Sequence, residues 1–116
     1  MPELRITVVE RTYNEEIAQA YGSASFKASG GLGPCPGFED GQIFLVEGMD
    51  RPAGFCERAW SDIQGELRTV RYGGAHDFMK HPGSALGNCT SGIRPVVFRI
   101  ECVSPPRGCG SDTSAA

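Results

Sequence analysis

The sequence predicts an α+β domain in which a small β-sheet packs on one long amphipathic helix, with long glycine-rich loops between the elements. Three observations predict it. Apolar residues alternate with polar ones in "LRITVV" near the start and in "PVVFRIEC" near the end, the period of half-buried strands. Between them Cys56, Ala59, Trp60, Ile63, Leu67 and Val70 fall at offsets 0, 3, 4, 7, 11 and 14, a helical stripe. Glycine accounts for 16 of the 116 residues, about twice its usual ~7% share.

The elements follow in order. In the first strand Leu4, Ile6 and Val8 share one face, and Arg5, Thr7 and Val9 the other. A short helix is expected next. Asn14 suits its N-cap, Glu15 and Glu16 suit the positive end of its dipole, and Gly22 stops it. Residues 22–34, "GSASFKASGGLGP", read as a mobile small-residue loop, either a plain flexible insertion or a flap over a site. "QIFLVEG" is apolar on both faces and reads as a central strand covered on both sides. The long helix spans "FCERAWSDIQGELRTVRYGG" and ends at Gly73 and Gly74. Its internal Gly65 costs about 1 kcal/mol relative to alanine, which a close backbone approach would explain. "AHDFMKHPGSALGNCTSGIRP" reads as irregular, and the last strand presents Val96, Phe98, Ile100 and Cys102 on one face. The domain is expected over 1–103, with 104–116 a disordered tail.

The length is that of one domain with one modest core. A net charge of −3 gives no basic footprint for nucleic acid. No apolar run approaches the ~18 residues of a membrane span. The charged start "MPELRITVVE" lacks the pattern of a signal peptide, so a cytoplasmic location with reduced thiols is expected. The five cysteines are odd in number and lack a Cys-x-x-Cys pair. That speaks against both a disulfide framework and a zinc ribbon.

The cysteines sort by context. Cys102 lies on the apolar face of the last strand and reads as core. Cys109 lies in the tail, with no specific role. Cys35 is fixed between Pro34 and Pro36, which restrict the backbone around it. Cys56 opens the long helix, where it is either part of the stripe or a thiol in the field of the helix dipole. Cys89 sits in "GNCTSG", a polar turn rich in backbone N–H groups of the kind that bind anions. Arg94 follows and could hold a carboxylate.

Taken together, the "ITV" strand at Ile6 to Val8, Cys35-Pro36, Gly41-Gln42, Phe55-Cys56, Ala59-Trp60, Asp62-Ile63, Gly73-Gly74, Cys89-Thr90, Gly92, Arg94 to Val96, Phe98 and Ile100-Glu101 form an ordered set over about residues 4–102. In this the chain resembles a family of small microbial proteins described as uncharacterised or conserved hypothetical, which sometimes occur as tandem repeats. The resemblance implies the domain limits and a site at the three cysteine segments, and brings no activity with it. The chain departs from the pattern at Asn88, where the family often has a second cysteine, and in a longer 22–34 loop.

Further groups come into question. Arg58 and Asp62 stand four apart on one helix face, a solvated pair by default. The family pattern makes Asp62 a candidate acid or base. Glu47 ends the apolar strand, a position from which a carboxylate can act as base. His81 neighbours the polar turn and is a better candidate than His76. Trp60 is core or a pocket wall. "GGLG" is no phosphate loop, since no lysine follows it.

The expectation is a small cofactor-independent enzyme of isomerase, lyase or cyclase type acting on a small organic metabolite. Cys35, Cys89, Asp62 and Glu47 would be catalytic, and Cys56, Trp60, Thr90, Arg94 and His81 would contact substrate. The alternative is a binding module in which Cys35, Cys56 and Cys89 hold zinc, iron or copper. A third reading has all three cysteines merely packing. Neither nucleic acid nor membrane is expected as a partner, and a homo-oligomer is compatible with the sequence.

Overall fold

The first alternating segment forms strand β1, Leu4–Arg11, in which Leu4, Ile6 and Val8 are buried. The computed structural model describes residues 3–103. The expectations for 104–116, including Cys109, lie outside them. After β1 come helices α1, Glu15–Tyr21, and α2, Ala24–Ala28, then strand β2, Ile43–Val46. Helices α3, Glu57–Asp62, and α4, Gln64–Arg71, precede strands β3, Ser84–Asn88, and β4, Val96–Cys102. The strands form one antiparallel sheet in the order β2-β1-β4-β3. This is a small α+β fold, with α4 against the sheet face that carries Leu4, Ile6, Phe98 and Ile100.

The structure corrects several expectations. β2 is an edge strand, paired only with β1. Phe44 and Val46 face the core, while Ile43 and Leu45 are more than half exposed. An apolar run carries no information about which face has a neighbour. The expected single long helix is two helices meeting at Ile63 (φ −99°, ψ 10°). The Gln64 side chain donates from Nε2 to the Trp60 carbonyl at 2.8 Å, the acceptor that the Gln64 amide would use in an unbroken helix. The stripe survives the break, since Ala59, Ile63, Leu67 and Val70 are all buried.

Part of the stretch read as irregular is strand β3. Its "SALGN" is poor in β-branched and aromatic residues, so only pairing with β4 reveals it. The close approach expected at Gly65 occurs instead at Gly87. A Cβ at Gly87 would lie 3.2 Å from Ile63 Cγ2, whereas one at Gly65 would meet nothing within 4 Å. Residues 22–34 are not all loop. Ser23 Oγ accepts from the Phe26 amide at 3.0 Å and caps α2. The limits of α1 are as expected, but Asn14 makes no side-chain cap bond to it.

The core is organised by phenylalanine. Phe38, Phe55 and Phe98 stand with ring centroids 5.1–5.2 Å apart. Phe44 closes edge-on against Phe38 and Phe55, and Trp60 packs on Phe55. Each buried ring contributes about 1.5–3 kcal/mol by leaving water, and edge-on pairs add about 0.5–1.5 kcal/mol. Phe38 and Phe55 come from loops, so the cluster fixes those loops on the sheet. Cys102 packs at the margin of this core, but it is disulfide-bonded, where a free, reduced thiol was expected.

One buried charge stands apart. Arg71, at the end of α4, is 2% exposed, and its Nε and Nη2 have no hydrogen-bond partner among the described residues. A buried unpaired cation destabilises a fold, and apolar replacement of similar volume removes that cost. Arg71→Met is therefore expected to stabilise the protein by about 1–4 kcal/mol in urea unfolding. Destabilisation would show that the guanidinium has a partner in solution.

Candidate functional site

The Cys35 segment is held by more than its prolines. A bulge in β1 lies between Val8, opposite Phe98, and Glu10, opposite Val97. The extra residue, Val9, shifts the alternation, so Arg11 pairs with Val96 and takes the core-facing side that its position would otherwise deny it. Arg11 Nη1 then donates to the carbonyls of Cys35 (3.0 Å) and Phe38 (3.1 Å), and its Nε to Asp40 (3.2 Å). Phe38, plugged into the aromatic cluster, anchors the far end of the segment. Within it the Gly37 amide points at Cys35 Sγ, at 3.4 Å.

Cys89 follows β3 directly. Its amide donates to the Val96 carbonyl at 3.1 Å, continuing the ladder. The return bond is altered. The Val96 amide donates to Cys89 Sγ at 3.3 Å, while the Cys89 carbonyl accepts from Asn88 Nδ2 at 2.8 Å. A side-chain sulfur thus replaces a carbonyl in the sheet, and the thiol is buried.

The loop beyond it is tied from both sides. Asp62 Oδ2 accepts from the Thr90 amide (2.8 Å) and hydroxyl (3.0 Å), and Arg58 Nε donates to the same hydroxyl (3.2 Å). Thr12 and Asn14 donate to the carbonyls of Pro95, Ile93 and Gly92.

Cys56 is the N-cap of α3 and is exposed. It is not part of the buried stripe, and it makes no side-chain cap bond. Phe55 beside it is buried in the cluster. The fourth wall comes from the 22–34 segment. Arg94 lies over the Phe26 ring, 5.3 Å from its centroid, and donates from Nη1 to the Gly31 carbonyl at 3.3 Å. Glycine is required at 31, because a Cβ there would lie 2.5 Å from the Phe26 ring.

These segments enclose a cavity of about 440 Å³, within the range that takes a small organic molecule. Cys35, Cys56 and Cys89 all line it, as does Arg94. The other expected residues are placed differently. Asp62 and Thr90 bond each other beside the cavity without lining it. Glu47 is exposed beyond β2, the exposed His81 lends its carbonyl to Ser84, and Trp60 packs against Phe55; none of the three lines the cavity. The expected catalytic carboxylates are thus not in the pocket, because one is spent on a loop and the other lies on the edge-strand side. Reasoning from the sequence missed Phe26, Phe38 and Arg58 as lining residues. The Ser23 cap was a readable sign of a helix that could place Phe26.

Among the described residues no three or more His, Cys, Asp or Glu side chains lie close enough to hold one metal ion. The three thiols share a cavity without forming a chelating set. No helix among these residues is long and apolar enough to cross a membrane. Compared with protein-family models, curated proteins and solved structures, the chain matches none.

The burial of the thiols sets an order of reactivity. Native-state alkylation by iodoacetamide, read by peptide mass mapping, is expected to modify exposed Cys56 first, half-buried Cys35 next and buried Cys89 last. Modification of Cys89 ahead of Cys56 would contradict this arrangement.

Proposed function

We propose that the chain is a small cofactor-independent enzyme of isomerase or lyase type, whose pocket thiols move a proton on a small organic molecule. The observation that supports it is the convergence of Cys35, Cys56 and Cys89, far apart in sequence, on one cavity with mainly apolar walls. Of the motif residues behind the proposed kinship with the small microbial family, Cys35, Cys56, Ala59, Cys89, Gly92, Arg94 and Val96 line this cavity, with Asp62 and Thr90 bracing the Cys89 loop.

With the carboxylates outside, the thiols are the groups lining the cavity that can exchange a proton near neutrality. In the simplest step, one thiolate removes a proton from a carbon next to a carbonyl. A second thiol returns a proton to the substrate. No electrons leave the substrate and no outside reagent is consumed, so the net change is an isomerisation. Cys35 and Cys89 suit these roles, since each sulfur is oriented by a backbone N–H. Cys56, at the exposed rim, contacts substrate.

The test is proton exchange. In D₂O, a panel of small keto, hydroxy and amino acids is followed by proton NMR for loss of the signal next to the carbonyl. Cys35→Ser or Cys89→Ser is expected to slow exchange by about 10²–10⁴-fold with an unchanged circular dichroism spectrum. Wild-type exchange in both variants, or no exchange across the panel, would overturn the reading.

A further inference from the structure

The protein as a whole is acidic, with a net charge of −3, yet the cavity is not. Arg58 and Arg94 both line it, and among the described residues no carboxylate does. The nearest candidate, Asp62, is occupied by the amide and hydroxyl of Thr90. Each guanidinium is aimed by one contact and left largely open. Arg58 uses Nε on the Thr90 hydroxyl. Arg94 uses Nη1 on the Gly31 carbonyl and lies over Phe26. Nη1 and Nη2 of Arg58, and Nε and Nη2 of Arg94, have no acceptor among the described residues. The backbone amides of Gly92 and Ile93, in the same lining segment, likewise have none.

Two held guanidinium groups beside uncommitted amides, facing an otherwise apolar chamber, suit a molecule with one charged end and one apolar end. Arginine favours planar anions that accept two parallel N–H bonds, and the charge-assisted bond is about twice as strong as a neutral one. Phe26, Phe38 and Val96 offer the other end of the ligand an apolar surface.

We infer that the cavity binds a small monocarboxylate with an apolar body, its carboxylate held by Arg58 and Arg94. The inference rests on the same pocket as the proposed enzyme, but it does not need reactive thiols. Were a reaction to follow, a carboxylate fixed at the arginines would set the adjoining carbon towards the sulfurs.

The experiment is an amide-resolved NMR titration of the full chain with phenylacetate and with its neutral isostere phenylacetamide. Phenylacetate is expected to bind at least about tenfold more tightly, with shifts confined to residues 26–31, 35–38, 56–59 and 89–96. Arg58→Gln, at an exposed helix position, is expected to remove most of that preference with an unchanged circular dichroism spectrum, and Arg94→Gln the rest. Equal affinity for the two probes, no binding of either, or shifts elsewhere would overturn the inference. Carboxylate binding without any proton exchange would sink the enzyme reading alone. Exchange that runs undiminished in both Arg58→Gln and Arg94→Gln would sink the carboxylate alone.

Discussion

Everything at the cavity depends on the packing of Phe38, Phe55 and Phe98 into one group, with Phe38 edge-on to the other two rings. Phe98 belongs to a regular strand, so its place is set by the sheet. The other two belong to loops, and burying them against Phe98 seats those loops on the sheet. Phe38 carries Cys35 three residues upstream, and Phe55 carries Cys56 as its neighbour. Cys89 reaches the same chamber by the register of β3 on β4, in which Gly87 stands opposite Phe98. One apolar contact therefore gathers three polar, chemically distinct segments. The rings place the backbone, and the thiols line the chamber at different depths, Cys56 exposed and Cys89 buried.

Hydrogen bonds then refine what the rings set in place. The β1 bulge turns Arg11 inward to hold two carbonyls of the Cys35 segment. Asp62 and Arg58 brace Thr90 from the α3 side, and Thr12 and Asn14 brace the other end of the same loop. Asp62, the carboxylate the sequence recommends for chemistry, is better understood as a brace. Its two bonds keep Cys89 seated without adding negative charge to the chamber. The arrangement separates polar groups that support the loops from those left open towards a ligand.

The residues read directly from the sequence were those whose environment follows from local periodicity. Leu4, Ile6 and Val8 alternate, and Ala59, Ile63, Leu67 and Val70 recur at helical spacing, so their burial was legible. The convergence of the cysteine segments was legible too, because a thiol between prolines and another in a glycine-flanked turn are unusual enough to single out. What stayed hidden is non-local. Nothing in "IFLV" says that β2 has only one neighbour. Nothing in "SALGN" announces a strand, since β4 supplies its pairing. The break at Ile63 follows from one glutamine side chain taking a carbonyl, and the inward turn of Arg11 from one extra residue in β1. Arg58 was assigned to an ion pair with Asp62 because the two are four apart, but Thr90 competes for both.

The central claim is spatial: thiols 21 and more residues apart in the chain open into one chamber. It is tested most directly by a short two-carbon bis-maleimide added in slight excess to the native, dilute protein, with cross-links mapped by mass spectrometry. The account predicts an intrachain link between Cys35 and Cys56 as the main product, lost when the chain is first unfolded in urea. Mono-adducts alone, or links only between chains, would contradict it.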